Sequence, residues 1–169
     1  MLDSAKLINI VLVETSHPGN IGSAARAMKN MGLSNLNLIN PKKFPHGDAR
    51  ALSGNALDLL ESAEVYQDIQ SAIANSKYVL ATSARERSID WPIVEAREAA
   101  IKIKSMVEKG DEISILFGRE DRGLTNEELQ LANEHLIIPA DTDYPVLNLA
   151  MSVQLVCYEI HTALKSNHN

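Results

Sequence analysis

The 169-residue sequence predicts an α/β fold, a mostly parallel sheet with helices on both faces. Apolar strand-like runs alternate with amphipathic helical stretches along the chain. The runs are aliphatic at successive positions rather than at every second one, the pattern of strands buried on both sides. Loops bearing glycine, serine and arginine follow directly on several of these runs.

Strands are expected at residues 7–13, 36–39, 78–81, 113–117 and 135–138, and helices at 21–31, 68–74, 94–108, 125–132 and 147–165. Thr125 with Glu128 three residues on forms a capping box and marks a helix start. Residues 48–67 read as a short helix followed by a further strand near Val65.

A chain of this length builds one continuous core and reads as a single domain, and its 45% apolar and 22% charged content is that of a globular protein. No apolar run approaches the ~20 residues of a membrane span. Residues 1–6 carry no basic and apolar leader. The one cysteine, Cys157, shares an apolar helix face with Val153, Val156 and Ile160 and reads as core filler. It cannot form an internal disulfide, which fits a cytoplasmic protein. The net charge of −6 argues against a nucleic-acid partner. Local distribution argues the other way: Arg26, Arg85, Arg87, Arg119 and Arg122 lie in or beside loops.

Ligands of doubly wound sheets sit at the carboxyl ends of the strands, and the loops after residues 13, 81, 117 and 138 share that edge. The first loop, His17-Pro-Gly-Asn-Ile-Gly22, leads into an alanine-rich helix that carries Arg26. Such a helix start presents free N–H groups. Gly19 and Gly22 permit a tight turn and Asn20 offers an amide; an ordinary turn is the alternative. The dinucleotide fingerprint G-x-G-x-x-G is absent, and Asn40-Pro41 stands where its acid is expected, so NAD binding is disfavoured.

The second loop, Phe117-Gly-Arg-Glu-Asp-Arg-Gly123, is either a self-paired charged turn or a site into which Glu120 points. In the third, Asp141 and Asp143 read as turn residues, because no His or Cys ligand lies at workable spacing and the histidines are scattered. No metal site is expected. Asn148 opens the last helix, as a cap or as a site residue. Thr82-Ser83-Ala84-Arg85-Glu86-Arg87 supplies hydroxyls suited to ribose or adenine edges and arginines suited to phosphates, or else is a plain exposed loop. Ser-His-Asp and Cys-His catalysis find no support.

Asn20-x-Gly22-x-x-x-Arg26, Phe117-Gly-Arg-Glu120-x-x-Gly123 and Ile138-Pro139 through Leu147-Asn148-Leu-Ala-Met-Ser152 occur in one order and spacing. With these motifs the chain resembles the SpoU-type branch of the SPOUT methyltransferases over residues 7–165. Val11-Leu-Val-Glu-Thr-Ser-His17 and Thr82-Ser83-Ala84-Arg85 are similar to members that methylate the ribose 2′-oxygen of tRNA nucleotide 32. The resemblance implies a C-terminal trefoil knot, which periodicity would not foretell. It implies S-adenosylmethionine as cofactor, S-adenosylhomocysteine as product, and a homodimer that completes the site. Cofactor contacts would come from Thr82, Ser83, Ala84, Gly118, Ile138, Val146, Leu147 and Asn148. Arg26, Glu120, Asn148 and Asn20 would be catalytic, and Arg26, Arg85, Arg87 and Arg122 would contact RNA. Those members carry a C-terminal extension without a counterpart here, and commonly have serine where this chain has Val146. A guanidinium holds its proton too tightly to be a literal base, so Arg26 is expected to orient the hydroxyl and stabilise developing negative charge. A knotted RNA-binding protein without methylation activity is the alternative.

Overall fold

A computed structural model describes residues 3–83, 90–140 and 148–166. Seven strands form one sheet: β1 Ile8–Val13, β2 Asn35–Ile39, β3 Glu64–Tyr66, β4 Tyr78–Thr82, β5 Ile93–Glu95, β6 Ile113–Phe117 and β7 Glu134–Ile137. Their order is β3-β2-β1-β6-β4-β7-β5, and every pairing is parallel. The helices are α1 Pro18–Asn30, α2 Gly47–Ser53, α3 Leu57–Glu61, α4 Ile69–Ala72, α5 Ala96–Glu108, α6 Asn126–Leu129 and α7 Leu149–Lys165.

All six residues of β1 are buried, as expected of a central parallel strand. Its side chains divide by parity. Ile8, Ile10 and Leu12 enter a core shared with α1, α5 and α7, while Val11 and Val13 enter a second core with α4 and α6. Each such aliphatic side chain contributes about 1.5–3 kcal/mol on burial. Cys157 lies fully buried in the first core, as core filler. No described helix is long and apolar enough to cross a membrane.

The expected elements are present, with three instructive differences. Helix α1 begins at Pro18 rather than at residue 21. Proline is preorganised for the first helical position, so the cluster read as a turn is a helix start, and Gly19, Asn20 and Gly22 are helical. Residues 93–95, part of which was expected to open a helix, pair with the free edge of β7 through Val94 opposite Leu136. Their β-branched side chains favour that pairing, and α5 starts only at Ala96. Helices α4 and α6 are shorter than the expected spans, with Asp68 and Thr125 outside them as N-caps; Thr125 and Glu128 form the capping box.

The strand order reverses direction between β1, whose chain continues outward to β2, and β6, whose chain continues the other way to β7. This switch point is where doubly wound sheets open a crevice at their carboxyl edge. The path through residues 141–147, on which a C-terminal knot depends, lies outside the described residues.

Helix α1 is pressed against α2 at Gly22, where an added Cβ would stand 2.1 Å from the Ala49 carbonyl oxygen. Backbone cannot yield as a flexible side chain does. Gly22→Ala should therefore lower the unfolding free energy by about 1–3 kcal/mol in urea denaturation. Gly47→Ala, with nothing within 4 Å of the new methyl, should leave it nearly unchanged.

Candidate active site

Two loops meet over the crevice. At the exit of β1, Glu14 adopts a left-handed backbone with φ 52°, and its N–H donates to the Ile39 carbonyl at 2.8 Å. The chain then turns through Thr15, Ser16 and His17 into α1. At the exit of β6, Gly118 admits no side chain: a Cβ there would stand 2.2 Å from the Gly123 carbonyl carbon. That close approach lets the loop fold onto itself, with Arg119 N–H donating to Gly123 O at 3.2 Å and Gly123 N–H to Arg119 O at 2.9 Å. The closed loop aims Glu120 across the crevice.

The Glu120 carboxylate accepts four hydrogen bonds from the opposite loop. Its Oε1 takes the Ser16 N–H at 3.0 Å and the Ser16 hydroxyl at 3.1 Å. Its Oε2 takes the His17 N–H at 3.0 Å and the Asn20 side-chain amide at 2.9 Å. Partial burial opposes the charge, yet donation from the Ser16 N–H, the Asn20 amide and the His17 N–H holds the carboxyl at about 2. The protein's own carboxylate thus occupies the electropositive start of α1.

Arg119 secures the loop from behind. Its guanidinium pairs with both oxygens of Glu128 at 2.8 Å, with Glu14 at 2.9 Å and with the Gly123 carbonyl at 3.2 Å. Its side chain is 9% exposed. Pairing with Glu128, more than the opposing cost of burial, raises its pKa and keeps it charged. For Arg119 the self-paired reading of this turn holds.

The structure brings Asn20 and Glu120 together. It does not join Asn148 to them: among the described residues the Asn148 carboxamide oxygen accepts the Met151 N–H at 2.8 Å and caps α7. Arg26 lies six residues beyond Asn20, about 9 Å along the helix. It is exposed and makes no hydrogen bond or ion pair among the described residues. Arg122 is exposed at the tip of its turn. Thr82, Ser83, Gly118 and Ile138 are half-exposed at the ends of strands that are otherwise buried. The Thr82 hydroxyl donates to Leu116 O at 3.0 Å, which leaves its lone pairs able to accept, and Ser83 N–H donates to Leu136 O at 3.0 Å. Ala84, Arg85, Arg87, Asp141, Asp143, Val146 and Leu147 lie outside the described residues.

No group of metal-binding side chains occurs among the described residues. His135 is a satisfied core histidine, its Nε2 donating to Leu129 O at 2.9 Å and its ring stacked on Trp91. The roles of Ser16 and His17 as donors and of Arg119 as a brace are not evident from local pattern. One signal was present, because the residues just before a helix-opening proline carry N–H groups that need an acceptor.

Residues 7–158 match the SpoU rRNA Methylase family. The chain belongs to this family. The SpoU chain is 51% identical over 156 residues to the tRNA (cytidine/uridine/adenosine-2′-O-)-methyltransferase TrmJ of Pseudomonas aeruginosa, covering 92% of itself and 61% of that relative. It therefore spans less than two thirds of the relative's length. Among solved structures, a probable methylase family protein from Haemophilus influenzae superposes with a TM-score of 0.90 at 48% identity, over 95% of this chain and 67% of that one. TrmJ from Z. mobilis superposes with a TM-score of 0.86 at 34% identity, over 90% and 67%. The parallel sheet and helices described above are thus those of a SpoU methylase.

Because folding lowers the Glu120 pKa from 4.5 to about 2, its contribution to stability is full above pH 4.5 and is lost as pH falls toward 2. Glu120→Gln should lower the unfolding free energy at neutral pH by about 1–3 kcal/mol, since an amide nitrogen would face donors. It should also flatten the acid limb of stability between those pH values, as read from urea unfolding at stepped pH. An unchanged acid limb would contradict the assigned role.

Proposed function

We propose that this chain is a single catalytic domain of an S-adenosylmethionine-dependent RNA methyltransferase. Its proposed substrate is a ribose 2′-hydroxyl of tRNA, on cytidine or uridine at position 32 of the anticodon loop. The observation that carries the reading is the Glu120 contact with Ser16, His17 and Asn20, because it joins two of the family's motifs at the switch point of the sheet. Likeness to TrmJ narrows the substrate.

The carboxyl edge suits the cofactor. Gly118 lies half-exposed at the end of β6, Ile138 offers half-exposed apolar surface, and Thr82 and Ser83 offer polar groups. Asn148, with Ala84, Val146 and Leu147, completes the proposed cofactor contacts. When bound, S-adenosylmethionine supplies an electrophilic methyl group.

This chain's own work is alignment, an effect worth up to ~7–11 kcal/mol. Arg26 orients the 2′-hydroxyl and stabilises the negative charge that develops on its oxygen as the hydroxyl proton leaves to solvent water. Asn20 and Glu120 fix the first turn of α1, and through the helix they set where Arg26 stands. Asn148 steadies the start of α7 on the cofactor side. Arg85, Arg87 and Arg122 contact the RNA backbone.

A homodimer completes the site. Met151, Leu155 and Tyr158 fall at i, i+4 and i+7 of α7 and are 55%, 40% and 50% exposed, an apolar stripe beside α1 that suits a second copy of the chain. Among the described residues Arg26 has no hydrogen-bond or ion-pair partner, as expected of a residue that serves a site completed by the other copy.

Incubation with tRNA and S-adenosylmethionine, followed by mass spectrometry of nuclease digests, should show a 2′-O-methylated nucleotide; cofactor binding without methylation would favour a silent RNA-binding protein. Arg26→Lys should slow methyl transfer at least about tenfold, or about 1.4 kcal/mol, while calorimetry shows unchanged cofactor affinity. Near-normal turnover would contradict the role of the guanidinium. Leu155→Glu should shift sedimentation from dimer to monomer, and a parent that sediments as a monomer would refute the interface.

A further inference from the structure

A groove of about 540 Å³ runs between the start of α1 and the segment that links β2 to α2. It lies beside the crevice but outside the set of proposed catalytic and cofactor residues. Pro18 and Leu52 provide an apolar floor, with Leu52 50% exposed to solvent. The imidazoles of His17 and His46, the ammonium of Lys43 and the carboxylate of Asp48 surround it. A half-apolar cleft with few convergent polar groups is the usual form of a small-ligand site.

The polar groups are largely uncommitted. The His17 side chain makes no hydrogen bond among the described residues, since only its backbone N–H is given to Glu120. Lys43 is exposed and forms no ion pair among them, and Lys42 stands next to it. His46 Nδ1 accepts the Asp48 N–H at 3.0 Å, so in the neutral ring the proton sits on Nε2 as a donor. The N–H groups before α1 are already engaged by Glu120, so a bare anion would not find its usual cradle there. What the groove offers instead is stacking surface, one cation and one acceptor.

We propose that this groove binds one unstacked nucleotide of the RNA substrate, adjacent in the strand to the nucleotide that is methylated. The inference rests on the RNA-methylation reading above. Unpaired bases are held by stacking on aromatic rings, histidine included, and by hydrogen bonds to their edges. His17, His46 and Leu52 give the base its contact surface. Asp48 accepts from an exocyclic amine, such as N4 of cytosine, and Lys43 meets the phosphate. Charge placement supports this occupant: in a chain of net charge −6, Lys42 and Lys43 gather at one end of the α1–α2 surface and Arg26 at the other. Gly19 and Arg26 share one stripe of α1, about 10 Å apart along its axis, a short step of nucleic-acid backbone. Because Ser16 and His17 also hold Glu120, the wall of the groove is rigidly tied to the proposed catalytic helix.

The test uses the full chain and a fluorescein-labelled anticodon stem-loop RNA at low salt, with anisotropy as readout. Lys43→Ala should weaken binding and reduce the slope of log K against log salt by about 1. His17→Ala and His46→Asn should each weaken binding about tenfold with little change in that slope; asparagine retains the helix cap that His46 provides. Cofactor affinity by calorimetry should be unchanged in all three. Placing 4-thiouridine beside the target nucleotide should yield cross-links to the peptide spanning residues 43–52. If the parent binds and methylates the RNA while all three variants match it within about twofold, the groove assignment fails and the methylation reading stands. If the parent neither binds nor methylates RNA, both fall.

Discussion

The carboxylate of Glu120 is the contact on which the arrangement of this molecule depends. It joins residues about 100 positions apart in the chain and receives four donors from one short segment. The loop after β6 lacks repeating backbone bonds, and the loop after β1 carries N–H groups that the following helix cannot satisfy. One carboxylate meets both needs, and the Arg119 pairs with Glu14 and Glu128 keep it aimed.

Helix α1 gathers the consequences of that contact. Its start faces Glu120, its alanine side packs on the sheet, Gly22 admits α2, and Arg26 projects outward. These demands fall on separate faces of one 13-residue helix, which explains its composition. Small residues occupy the packed sides, because neighbouring backbone comes close there. A long cation, Arg26, occupies the open, solvent-exposed side.

Much of the fold was legible because it follows from periodicity and local capping. The central strands are continuous aliphatic runs, and the Thr125–Glu128 box and the Cys157 face were readable directly. Short-range signals failed where a tertiary partner decided the outcome. Residues 93–95 are a strand because β7 offers an edge, and nothing in their own pattern outweighs the helical run that follows. Pro18 and Gly19 look like a turn until the proline is recognised as a first helical residue. Of the proposed site residues, Asn20, Arg26 and Glu120 were nameable from motif, and Asn148 from its place before an apolar helix. The partners of Glu120 were not, since a contact between residues 16 and 120 leaves no local trace. Lys43 and His46 follow β2 on the same edge as the other loops, in a segment without a glycine-rich pattern to mark it.

The position of β6 between β1 and β4 also governs how the chain assembles. Ile8 finds its partner Ile113 only after most of the polypeptide exists, so the centre of the sheet is closed between residues 8 and 113. Loop closure over such a span slows folding relative to structures built from local contacts. Until residue 113 emerges during synthesis, one side of β1, aliphatic except for Asn9, stays an open edge. The nascent chain therefore passes through a stage in which one edge of this buried strand is unpaired, the kind of intermediate that chaperones bind.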